Sequence, residues 1–99
     1  MKQITPRLPA IRVQWLEAFL KTAELQSMTK AALALKLSQP TVSNNIASLE
    51  SALGRLLNTS GVPFSLTADG EAFLELAQTI VDSLNAFRER GVAWQAAVP

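Results

Sequence analysis

The side chains that most often carry chemistry are missing or scattered in this sequence. None of its 99 residues is His or Cys, which removes imidazole acid–base work, thiol nucleophiles, disulfides and the usual zinc ligands. Asp69, Glu71, Glu75 and Asp82 form an acidic run. With no Gly-rich phosphate loop or partner set, it reads as solvated charge rather than a catalytic group. No enzymatic activity, cofactor or metal is expected. A better ordered set is Gln39, Thr41, Asn44, Asn45 and Ser48, short uncharged groups that donate and accept hydrogen bonds, as pairing with base edges requires. Among them Val42, Ile46, Leu49 and Leu53 recur at four-, three- and four-residue steps, the signature of one buried helix face. If that face is inward, the helix presents an outward surface that is polar yet uncharged, unusual for a helix that meets only water.

Such a helix must be held by others, and the flanking sequence supplies them. Residues 1–9, with two prolines and isolated apolar side chains, read as an extended arm. From Ala10 to Leu25 a helical stripe of Ile11, Trp15, Leu16, Phe19, Leu20 and Ala23 leaves Arg12, Glu17, Lys21 and Glu24 to solvent. Ser27 is a good N-cap for a short second helix, Thr29 to Leu37, and Ser38 caps the third, with Pro40 in its first turn and Gly54 as its stop. Leu56-Leu57 and Phe64-Ser65-Leu66, with Gly61 and Pro63 between them, predict a small two-stranded hairpin. Thr67 then caps a last long helix with Asp69 and Glu71 in its first turn, favourable at the positive end of the helix dipole. Helix, helix, sharp turn, helix, hairpin, helix is a mainly α winged helix-turn-helix. The expected division is an arm at 1–9, the winged domain at 10–67, a linker helix at 68–94 and a tail at 95–99.

Composition bounds this reading without directing it. Nine Lys and Arg against eight Asp and Glu leave a net charge of +1, too small to announce a nucleic-acid partner. With 48% apolar residues the chain can build one core but not a core plus a large substrate cavity. No apolar run approaches the ~20 residues of a membrane span, and the first nine lack a secretory signal. A cytoplasmic protein with no membrane partner is expected.

The run Ser27-Met28-Thr29-Lys30-Ala31-Ala32, followed by Leu35, Leu37-Ser38-Gln39-Pro40-Thr41-Val42-Ser43, Ile46, Leu49-Glu50 and Leu53-Gly54, resembles the N-terminal DNA-binding domain of LysR-type transcriptional regulators. The likeness extends back to Trp15-Leu16 and Phe19 and forward to Leu66-Thr67 and Gly70. It implies that the third helix enters the major groove of double-stranded DNA, that the wing lies along the backbone, and that the linker helix pairs two subunits. Carried over residue by residue, Gln39, Pro40, Thr41, Ser43, Asn44 and Asn45 become the base-reading candidates. Ser27, Thr29, Lys30, Lys36, Ser38 and Arg55 become the phosphate candidates, with Arg7 and Arg12 in reserve; Ser38 is better suited to capping than to reading.

The sequence also departs from that pattern. Where the family commonly has Arg or Lys just after the Ser of the third helix, this chain has Asn44 and Asn45. Where the family usually has a Phe and an Arg entering the wing, it has Leu57 and Thr59, and Ser60 to Ser65 contain no basic residue. The effector-binding domain that would follow the linker helix is not among these residues, so no small-molecule site is expected. Independently of any resemblance, Phe73, Ala77, Ile80, Leu84, Phe87, Gly91 and Trp94 alternate at four- and three-residue steps, a seam for a partner helix. Two functions fit: a homodimeric DNA-binding regulator paired through the last helix, or a degenerate module that keeps the fold and acts by contact with another protein.

Overall fold

The computed structural model describes residues 10–59 and 65–97, with side chains described as far as Arg90. Three helices form the body: α1 (Val13–Leu25), α2 (Met28–Leu35) and α3 (Gln39–Leu53). A hairpin of β1 (Leu57–Asn58) and β2 (Ser65–Leu66) follows, and α4 (Ala68–Ala97) closes the chain. The strands are antiparallel, with Leu57 opposite Leu66 and Asn58 opposite Ser65. The expected helix order and hairpin are present, and the ends differ. The first helix starts at Val13, because Arg12 is its extended N-cap. The second runs from Met28 to Leu35, because Lys36 turns left-handed at φ 60°, and the last extends to Ala97.

Each joint follows from local sequence. Ser27 Oγ accepts from the Lys30 amide at 3.1 Å, capping α2. At its other end the Leu37 amide donates to the Ala32 carbonyl at 2.9 Å, closing the helix through a left-handed residue as the Schellman motif does. Two residues later Ser38 Oγ accepts from the Thr41 amide at 3.2 Å and starts α3. The turn is therefore short and fixed at both edges.

The core is Leu16, Ala18 and Phe19 from α1, Ala31 and Ala32 from α2, Val42, Ile46 and Leu49 from α3, Leu56 and Leu57 at the wing, and Ala77 and Val81 from α4. Ala31 and Ala32 let α2 approach closely, and Phe19 meets Phe73 with ring centroids 5.8 Å apart. Thr22 is also fully buried, and its hydroxyl has no hydrogen-bond partner among the described residues.

The wing is tied to both neighbouring helices. Glu50 Oε2 accepts from the Leu56 and Leu57 amides, each at 2.9 Å. Thr67 Oγ1 donates to the Arg55 carbonyl at 2.8 Å and accepts from the Gly70 amide at 2.9 Å. At Gly70 a Cβ would lie 2.1 Å from the Leu56 carbonyl oxygen, so only glycine lets α4 run this close to the wing. Segment 55–57 is thus held between α3 and α4.

Candidate nucleic-acid interface

Burial sorts the residues of α3 into faces. Val42, Ile46 and Leu49 are buried and Leu53 half-buried; their inward pull sets the orientation of everything else on the helix. Gln39, Pro40, Thr41 and Asn44 are exposed, whereas Ser43, Asn45 and Ser48 are half-buried on the flanks. Asn45 is turned into a shallow groove lined by Gln14, Glu17, Leu35, Leu37 and Thr41. The exposed residues of the middle and end of the helix are Asn44, Ala47 and Ser51, continuing from Pro40 at four-, three- and four-residue steps. Reading for polar residues passes over Ala47, and Ser51 lies beyond the set Gln39 to Ser48 that it selected. The signal that would find them is angular, since at 100° per residue they lie opposite the apolar set.

Hydroxyls and amides behave differently here. Ser38 Oγ and Thr41 Oγ1 are bonded to each other at 2.8 Å, and Ser38 also caps the helix, so one of the two O–H donors is used within the helix start and the other is left. Gln39 and Asn44 have no side-chain hydrogen bond among the described residues, leaving two exposed amides free for a ligand. The phosphate candidates lie around this helix. Thr29, Lys30, Lys36 and Arg55 are exposed, and Ser27 is half-buried by its capping role. The described residues hold an ion pair between Lys21 and Glu24 at 3.0 Å, and none is described for Lys30, Lys36 or Arg55. Arg7, in residues 1–9, and the wing residues 60–64 lie outside the described residues.

The expected seam of α4 divides in two. Ala77 is 0% exposed inside the chain's own core, which corrects its assignment to a partner contact: a methyl-sized side chain is what lets α4 lie against the body. Phe73 and Ile80 are half-buried against that core. Beyond them Leu84 is 46% and Phe87 61% exposed, and Trp94 lies outside the described side chains. Leu76, 55% exposed, borders an apolar groove of about 500 Å³ floored by Leu16, Leu53, Phe73 and Ile80.

A family model described as "Bacterial regulatory helix-turn-helix protein, lysR family" matches residues 13–71. The chain belongs to the LysR family. Among LysR relatives, a probable nitrogen assimilation transcriptional activator of Synechocystis sp. is 46% identical over 70 residues, covering 71% of this chain and 23% of the relative. The HTH-type transcriptional regulator ShiR of Corynebacterium glutamicum is 40% identical over 80 residues, covering 80% and 27%. The chain therefore spans about a quarter of the length of the curated relatives it matches.

Solved LysR structures agree with this placement. A crystal structure of Vibrio fischeri DarR in complex with DNA superposes with a TM-score of 0.87 at 27% identity, covering 92% of this chain and 32% of that one. The DNA-binding domain of BenM in complex with catB site 1 DNA gives 0.82 at 28% identity, covering 90% and 100%. The described residues form a LysR DNA-binding domain: three helices, a two-stranded wing and the long helix α4. No described helix is long and apolar enough to cross a membrane.

Proposed function

We propose that this domain acts in transcription regulation as a homodimer that reads double-stranded DNA, with the first turns of α3 in the major groove. The observation that carries the reading is the division of α3. Val42, Ile46 and Leu49 are spent on the core, while Gln39, Pro40, Thr41 and Asn44 are exposed at the capped end of the helix, the end that helix-turn-helix proteins insert. Ser43 and Asn45 flank the reading surface. Thr29, Lys30, Lys36 and Arg55 grip phosphates, with Ser27 and Ser38 assisting from the helix caps. Pairing uses the distal part of α4, where Leu84 and Phe87 are exposed on one stripe; it continues over Phe73 and Ile80 and toward Trp94. Two recognition helices on one two-fold axis suit a roughly palindromic site.

A second reading is favoured by a specific observation: the exposed residues of α3 include no cation. Phosphate contacts supply most non-specific affinity, so a third helix that offers none suits a surface that works through another protein instead. Fluorescence titration with genomic-fragment and random duplexes separates the two. The DNA reading expects Lys36→Ala to weaken binding to all sequences alike, and Gln39→Ala to narrow the gap between specific and random DNA. Flat titrations with every duplex, alongside retained pairing with a protein partner, would select the protein-contact reading.

A further inference from the structure

We infer that the exposed stripe of α3 selects an A·T base pair through the Asn44 amide, flanked by thymine methyl groups that meet Pro40 and Ala47. The inference rests on the reading of α3 as the DNA-facing helix and specifies what that helix recognises. Pro40, Asn44 and Ala47 are all exposed at steps of four and three residues, on the side away from buried Val42, Ile46 and Leu49. The order along the stripe is apolar ring, carboxamide, methyl. At 1.5 Å rise per residue these groups span roughly 10 Å along the helix axis, about three base-pair steps of duplex.

Chemistry selects the base. A carboxamide offers one acceptor and one donor side by side, matching the N6 amino group and N7 of adenine in the major groove. Guanine presents two acceptors there, N7 and O6, and is matched by the two parallel donors of Arg or by Lys. No Arg or Lys lies on this stripe, and the Asn44 side chain has no hydrogen bond among the described residues. The neighbouring groups sharpen the choice, because the Pro40 ring and the Ala47 methyl group can only make apolar contact. The partner such a surface finds on a major-groove edge is the thymine 5-methyl group. Gln39 and Thr41 lie to the sides of this stripe, and Thr41 shares a hydrogen bond with Ser38 at 2.8 Å, which leaves the Asn44 amide as the polar group at the stripe's centre.

The test is in vitro selection with the full 99-residue chain on a randomised duplex library, repeated with Asn44→Ala and Asn44→Arg. The wild type is expected to return an A·T pair at a fixed position, and changing that pair to G·C should weaken binding about 5- to 150-fold. Asn44→Ala should erase the preference at that pair alone, and Asn44→Arg should turn it to guanine. Replacing the flanking thymines by deoxyuridine, which lacks the 5-methyl group, should weaken wild-type binding roughly fourfold per methyl group. Melting curves confirm that both variants fold, as expected for an exposed position. Sequence-selective binding whose motif is unchanged in both variants, or a wild-type motif with guanine at the Asn44-dependent pair, would overturn the inference and leave the DNA reading standing. Failure to bind any duplex would overturn both.

Discussion

Glu50 bonds the wing to α3, and its replacement by Ala gives a stability change whose size can be worked from the geometry. Its Oε2 accepts two backbone N–H groups, Leu56 and Leu57, both at 2.9 Å. The side chains of these two residues are among the most buried in the domain, at 1% and 2% exposure, so neither amide finds water easily once the carboxylate is gone. A part-buried donor left without a partner costs about 1–3 kcal/mol. Because Glu50 itself is half-buried, water recovers some of that loss, and the lower part of the range applies to each. The sum is about 2–4 kcal/mol. For a domain of this size each kcal/mol moves the midpoint by about 4–8 °C, so Glu50→Ala should lower Tm by about 8–32 °C in a circular dichroism melt. Glu50→Gln keeps an accepting oxygen and loses only the charge assistance, about 1 kcal/mol. A Glu50→Ala midpoint within about 2 °C of wild type would refute the reasoning. Equal losses in both variants would move the cause from the two hydrogen bonds to the charge.

Three further outcomes follow from single contacts. Gly70→Ala places a Cβ 2.1 Å from the Leu56 carbonyl oxygen, a backbone clash in the upper part of the range for overpacking, about 2–3 kcal/mol, which outweighs the ~1 kcal/mol helix preference of Ala; a higher melting midpoint would contradict it. Thr22→Val replaces a buried hydroxyl that has no partner among the described residues by a methyl group of similar shape and should stabilise by about 1 kcal/mol, read from a urea titration; a loss of stability would show that the hydroxyl is satisfied in solution. Leu84→Asp combined with Phe87→Asp should convert dimers to monomers in sedimentation by placing charge on the exposed stripe of α4. A wild-type monomer at about 50 µM, or an unaltered dimer in the double variant, would remove the pairing claim.

The order of elements was legible because each joint carries its own chemistry. Ser27, Ser38 and Thr67 accept amides at the starts of their helices, and apolar spacing alone places Val42, Ile46 and Leu49 inside. Helix ends were less legible. Lys36 adopts a left-handed conformation usually left to glycine, so nothing at that position announced where α2 stops. The seam of α4 was half legible for a different reason: periodicity reports which residues share a face, not whether that face meets the chain's own body or a second one, and Ala77 meets its own. Glu50 and Gly70 matched the family pattern, but their tie to the wing depends on contacts between elements, which no local spacing encodes. On α3, selecting by polarity found Asn44 and passed over Ala47, whose relevance is its place on the exposed stripe.

The most direct measurement of the central claim is the affinity of the domain for duplex DNA as a function of salt. If Lys30, Lys36 and Arg55 each meet one phosphate in each half of a dimer, roughly six contacts form, and the slope of log affinity against log salt should be about −5. Fluorescence anisotropy with a labelled genomic fragment, from ~50 to ~200 mM salt, reads that slope directly. Binding that weakens along it, with a specific fragment held more tightly than random duplex at every salt concentration, is the result expected of a DNA-reading dimer. No binding to any duplex at ~50 mM salt, from a chain whose melting curve and dimer are intact, would contradict it.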